Sequence, residues 1–212
     1  MARTLNKKNE EHLGMVFIPD ISGFTKFVHH FDIRLGKEII SELLSTILNA
    51  NILNLKVSEI EGDAILFYRY GILPTLKDLM NQYELMLIAF KKKLYELTGG
   101  RLFLIPDLSL KLIVHYGVIT EYKLYGFRKL YGVAIVDAHN LLKNNIPSNN
   151  YILITNDFLH QLQSQKANEI ILPEWVIQRT TKIGGLSFTY FLYDIELLKG
   201  NVFHERKNEN PD

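Results

Sequence analysis

Met15-Val16-Phe17-Ile18-Pro19-Asp20-Ile21-Ser22-Gly23-Phe24-Thr25 is an apolar run that ends in a carboxylate and opens through a glycine-containing turn. Its length and apolar character predict a buried strand, and Ser22-Gly23 before Phe24-Thr25 predicts a turn into a helix. A carboxylate at that junction is a place to hold a metal and a phosphate. A second carboxylate, Asp63, stands in Glu59-Ile60-Glu61-Gly62-Asp63-Ala64-Ile65-Leu66-Phe67, where Glu-Gly-Asp reads as the tight turn between two apolar strands. The two Asp residues meet if their strands are neighbours in one sheet, and the Ile21 carbonyl would then offer a further hard oxygen ligand. Ordinary uses compete with this reading. Asp20 could cap a helix, and Asp63 could simply make a turn.

Outward from these stretches, Ile39, Ile40, Leu43, Leu44, Ile47 and Leu48 recur at helical spacing and predict a helix from Gly36 to Leu53. Residues 54–60 and 64–70 read as a hairpin, and 74–97 return to helical periodicity until Gly99-Gly100 stops it. Strands are predicted at 109–116, 118–124, 151–154 and 188–193, with helices at 133–143 and from Asp157. The order β-α-β-β-α-β predicts a ferredoxin-like α+β sandwich, with helices on one face of a mainly antiparallel sheet. The polar ends, 1–12 and 197–212, are expected to be flexible around one domain spanning 13–196.

Composition bounds the function. A hydrophobic fraction of 47% with 22% charged residues is that of a globular protein, and no apolar run is long enough to span a bilayer. With a polar start and no signal-like segment, the expectation is a cytoplasmic protein without a membrane partner. The absence of cysteine excludes disulfides, thiolate zinc sites and cysteine nucleophiles. A formal net charge of +1 provides no electrostatic footprint for nucleic acid.

The motifs taken together resemble those of the class III adenylyl/guanylyl cyclase catalytic-domain family. Asp20-Ile21-Ser22-Gly23-Phe24-Thr25 resembles its first metal motif and Gly62-Asp63-Ala64 its second. Leu110-Lys111-Leu112-Ile113-Val114-His115-Tyr116-Gly117 is similar to its strand ending in His-Thr-Gly, and the segment from Tyr131-Gly132 to Leu142 falls where the family has a glycine-started helix. The resemblance covers roughly residues 14–160 and implies the same sandwich core. It implies a nucleoside triphosphate substrate and a two-ion Mg²⁺ or Mn²⁺ site on Asp20, Ile21 and Asp63. The amides of Ser22, Gly23, Phe24 and Thr25 would cradle the triphosphate. A homodimer is implied as well, with sites shared between the two chains.

Within that resemblance Glu59 and Lys129 fall at the base-reading positions, yet they match neither the guanine nor the adenine pair of the family. An ion pair at a strand edge is the alternative. Lys111 retains a cation where the family usually has Arg. Val136 replaces the Asn that orients the ribose, and Asn140 replaces the Arg that meets charge on the phosphate. Asn150 or Tyr151 falls where a triphosphate-binding cation is usual. His139, beside Asn140, is a further candidate for a phosphate contact. The expectation is therefore either a divergent cyclase, an inactive nucleotide-binding homologue or a dimerisation module. His29-His30 point too far apart on a helix to share an ion. His115 reads as a core histidine, Lys91-Lys92-Lys93 as a solvated helix face, and Trp175 as a packing residue.

Overall fold

The computed structural model describes residues 11–101, 108–164, 176–183 and 185–193. The ends expected to be flexible, 1–12 and 197–212, lie outside those residues apart from Glu11 and His12, as does Trp175. In chain order the elements are β1 (His12–Ser22), α1 (Phe24–His30), α2 (Ile33–Asn49), β2 (Lys56–Glu61), β3 (Ala64–Tyr70) and α3 (Leu76–Leu97). There follow β4 (Ser109–Leu124), β5 (Phe127–Tyr131), α4 (Val133–Leu141), β6 (Tyr151–Thr155), α5 (Asn156–Ser164), β7 (Val176–Ile183) and β8 (Leu186–Tyr193). One sheet runs β2-β3-β1-β4-β6-β8-β7, with β5 paired to β4 beside it. Every pairing is antiparallel except β4 with β6.

The period-2 alternation of β1 decides what lies on each face. Met15 and Phe17 join α1, α2, α3 and α5 in one core, whereas Val16 and Ile18 join α4 in another. Helices therefore cover both faces rather than the single face the sequence pattern implied. α4 was hard to place because its buried side is small: Ala134, Ala138 and Leu141. Close approach follows from that size. A β-carbon on Gly117 of β4 would sit 2.9 Å from the Ala134 β-carbon, so this glycine is the hollow that receives α4. For the same reason β4 is one continuous strand of 16 residues, not the two shorter strands expected on either side of Gly117.

Local chemistry sets the helix ends. The Asp32 carboxylate accepts from the Arg34 and Leu35 amides at 3.0 and 3.1 Å, so α2 begins before Gly36. Thr75 and Asp78 form a reciprocal capping box at the start of α3. The lysine run on α3 is more than a solvated face: Lys91 donates to the Leu108 carbonyl at 2.8 Å, and Lys93 lies 3.6 Å from Glu42 of α2. The sequence reading also omitted β5 and β7. β5 is short, charged and exposed, yet Tyr125-Gly126 marks it, since both residues have positive φ, 49° and 87°, as a two-residue hairpin turn requires. Among the described residues no helix is long and apolar enough to cross a membrane.

Candidate functional site

β1 is flanked by β3 and β4, and this brings the two singled-out Asp residues together. Asp20 pairs across with Ala64 on one side and Lys111 on the other. Asp63 is the second residue of the β2–β3 turn, and its carbonyl accepts from the Ile21 amide at 3.1 Å. An antiparallel residue bonded in this way directs its N–H and its carbonyl to the same edge, so the Ile21 carbonyl also faces Asp63. Asp20 does not cap α1: the cap position is Gly23, in the left-handed region at φ 86°, and no side chain caps that helix. The turn is made by Gly62 at φ 59°, which leaves the Asp63 carboxylate available.

Electrostatics link the two groups. Burial raises both carboxyls above the usual range, and the Lys111 ammonium, 3.3 Å from Asp20, opposes the rise there. Asp63 is pushed up to about 6, first by desolvation and then by the negative charge of Asp20. A buried and a half-buried carboxylate with Lys111 to balance them are a hard-oxygen donor set short of positive charge. The residues thus fit a divalent ion. Among the described residues no cluster of three or more His, Asp or Glu side chains could hold one, so the donors would be two carboxylates and a backbone carbonyl.

Lys111 is tied on its other side to α4, donating to the Leu142 carbonyl at 3.3 Å. The sequence carried no signal for that contact, because the acceptor is backbone. Tyr151 is buried nearby; its hydroxyl, pushed up to about 12 mainly by burial, also feels Asp20 and accepts from Asn144 at 2.7 Å. Asn150 bonds to Ser109. Neither residue supplies the cation that the motif register leaves missing. On α4 itself Asn140 is exposed and His139 half-buried, with Val136 one turn earlier and 59% exposed.

The remaining candidates fall elsewhere. Ser22 is buried at the end of β1, Gly23 makes the turn, and Phe24 and Thr25 open α1, whose first amides have no side-chain acceptor. Glu59 on β2 and Lys129 on β5 form an ion pair, the alternative reading of these two residues, and the hydrogen bond that Lys129 donates to Glu59 raises the lysine above its ordinary range. Beside them a cleft of about 560 Å³ is lined by Lys56, Tyr68, Phe127 and Arg128. His29 and His30 are exposed at the end of α1, where His30 bonds back to the Lys26 carbonyl. His115 is a core histidine on Thr155, as expected.

Residues 40–151 match the model of the family described as "Protein of unknown function (DUF2652)". No curated protein matches the chain. Among solved structures it is similar to the adenylyl cyclase CyaB from P. aeruginosa, at 12% identity and a TM-score of 0.64, covering 87% of this chain and 95% of that one. It is similar to the non-canonical dimeric guanylyl cyclase domain of the RhoGC fusion protein from Blastocladiella emersonii, at 15% identity and a TM-score of 0.54, covering 87% and 96%. A third is the guanylate cyclase domain of RhGC from Catenaria anguillulae in complex with GTP, at 15% identity and a TM-score of 0.55, covering 86% and 97%. Likeness at such identity shows the fold and leaves chemistry to the residues. The chain belongs to the DUF2652 family, and its fold is that of the class III adenylyl/guanylyl cyclase catalytic domains.

Proposed function

We propose that this protein binds a nucleoside triphosphate together with Mg²⁺ or Mn²⁺, as a divergent homologue of the class III cyclases whose turnover is weakened. The observation that carries the reading is the Asp20–Asp63 pair at adjoining strand ends, with Asp63 raised to about 6 beside a turn whose amides are uncapped. Asp20 and Asp63 would hold the ions, with the Ile21 carbonyl beside them. Bound there, the ions would supply Lewis-acid polarisation of phosphoryl oxygens and neutralise developing charge.

The chain's own residues do the rest. The amides of Ser22 to Thr25 orient the phosphates, and Glu59 with Lys129 are the candidates to meet the base, at the expense of their mutual ion pair. Lys111, His139 and Asn140 are the groups left to face phosphoryl charge. Asn140 offers a neutral amide, and Val136 offers nothing to a ribose hydroxyl. Groups that strengthen their contacts only in the transition state affect rate far more than binding. Affinity for the triphosphate is therefore retained while the chemical step is slow.

A homodimer fits the surface. Leu124, Tyr125 and Phe127 at the β4–β5 tip, with Tyr131, Val133 and Val136 leading onto α4, are all more than half exposed. Such a contiguous apolar ridge is characteristic of an interface. A second copy covering it would lie against the face of α4 that displays Val136 and Asn140.

Calorimetric titration with each of the four ribonucleoside triphosphates in Mn²⁺, followed by mass detection of cyclic products, tests the proposal. Saturable metal-dependent binding with little or no product is the expected result. If the folded protein binds none of them at millimolar concentration, the fold serves as a dimerisation module instead.

A pH dependence follows from Asp63. Its carboxyl keeps a proton up to about pH 6, so the ion must displace that proton in acid. Mn²⁺ affinity is expected to fall as pH drops through about 6 and to level off above about 7. Without metal the sign is reversed for stability. The folded state holds the proton longer than the unfolded one, so stability is greatest in acid and declines as pH rises through the folded value. Asp63→Asn should remove that decline. Allowing for solvent screening at a half-exposed group, the gain at pH 7 is at most about 1 kcal/mol, or roughly 2–4 °C in melting temperature for a chain of this size.

A further inference from the structure

On the α4 face of the sheet, at the end away from Asp20, a cavity of about 980 Å³ lies between β4, α4 and α5. The β4 residues that line it begin at His115, which pairs with Val16 near the start of β1, whereas Asp20 pairs with Lys111. The volume is that of a small-molecule site. Among the described residues Glu11, Asp137 and Asp157 line it together with two histidines, and no lysine or arginine does. Among the described residues none of these three carboxylates makes an ion pair.

A second observation points the same way. His115 is 3% exposed, and its Nδ1 is bonded to the Thr155 hydroxyl at 2.9 Å. Among the described residues its Nε2 has no partner; it lies 3.7 Å from where a side chain on Gly117 would begin, at the cavity wall. Burial lowers the imidazole's affinity for a proton despite Asp137 and Asp157, and in the neutral tautomer whose Nδ1–H donates to the Thr155 hydroxyl, Nε2 accepts a hydrogen bond. The starts of α4 and α5 each contribute about half a positive charge. Among the described lining residues the three carboxylates outweigh these two partial charges.

Among the described residues the acidic and imidazole groups do not converge closely enough to hold a metal ion, which favours a larger occupant. Much of the wall is apolar, with Leu130 and Ala134 among it, and the Tyr116 and Tyr131 rings can face a positive charge. We propose that this cavity binds an organic cation, an ammonium group carried on an apolar or aromatic body, with Asp137, Asp157 and the Nε2 of His115 as its polar partners. Within one chain the site is separate from the Asp20–Asp63 centre; Tyr131, Val133 and Val136 on its rim also belong to the ridge assigned above to the second copy, whereas Asp137, Asp157 and His115 do not.

The probe is tryptamine, with indole-3-propionate as the anion of matching shape, each titrated into the ¹⁵N-labelled full chain. Saturable shifts of the Gly117, Tyr131 and Gly132 amides with tryptamine and none with the propionate are expected. Asp137→Asn with Asp157→Asn, isosteric and at positions that are not buried, should weaken tryptamine more than about tenfold through loss of charge-assisted bonds. His115→Gln should weaken it less. The proposal is overturned if the acid binds as well as the amine, if the double variant keeps its affinity, or if no shift saturates by about 10 mM, an affinity weaker than about 3 kcal/mol.

Discussion

Asp63→Ala is expected to abolish Mn²⁺-dependent nucleoside triphosphate binding, weakening it by more than about a hundredfold. Loss of a mere outer partner of a metal ligand already costs about 10–100-fold. Asp63 would be one of only two carboxylates available, so its removal should exceed that range. Asp20→Ala should do the same, but it has a second effect. Lys111, whose side chain is 19% exposed, would lose the carboxylate 3.3 Å away and stay half-buried as an unpaired ammonium. Breaking a buried pair from one side costs about 3–5 kcal/mol. Circular dichroism melts therefore accompany the titrations, and Asp20→Asn, which keeps the hydrogen bond to Lys111, separates lost metal from lost fold. Asn140→Ala is the control, because a neutral side chain on the exposed side of α4 adds little to ground-state binding. Equal affinity in wild type and both Asp variants would remove the metal site from the proposal.

The site was legible in part because its two carboxylates are announced by local chemistry. An apolar run must end somewhere, and Asp20 at the end of one and Asp63 in a Gly-Asp turn are readable from spacing alone. Their meeting was not. It depends on β1 lying between β3 and β4, a long-range choice that no window of sequence contains. The same is true of Lys111, whose contact with Asp20 follows from register and whose contact with the Leu142 carbonyl involves backbone. α4 shows the opposite limit. Its buried side of two alanines and a leucine has little amphipathic signal, so a sequence reading finds the helix but not the face it covers. Gly117 was misread for a related reason: a strand glycine is a hollow for a neighbour as often as a break, and only the Ala134 contact distinguishes them. Glu59 and Lys129 carried two readings in the sequence, and the fold brings them into an ion pair.

Restoring the two side chains that the motif register lacks should produce the largest gain. Val136→Asn with Asn140→Arg is expected to raise cyclic-nucleotide formation by about 10³-fold or more, the scale on which an arginine aimed at phosphoryl charge acts. The gain should appear in kcat, with KM little changed, because the new guanidinium meets charge that develops only as the bond to the leaving phosphate breaks. Lysine at 140 should not substitute fully, since it lacks the planar fork that holds two oxygens. The positions tolerate the change: Val136 is 59% exposed and Asn140 lies on the same open side of α4, so neither larger side chain must enter a packed core. Size-exclusion chromatography and the Mn²⁺ titration check that the variant keeps the wild type's oligomeric state and affinity. A double variant that keeps both and makes no cyclic product would falsify the view that turnover is limited by these two positions. The Asp20–Asp63 centre would then belong to a protein that binds nucleotide without cyclising it.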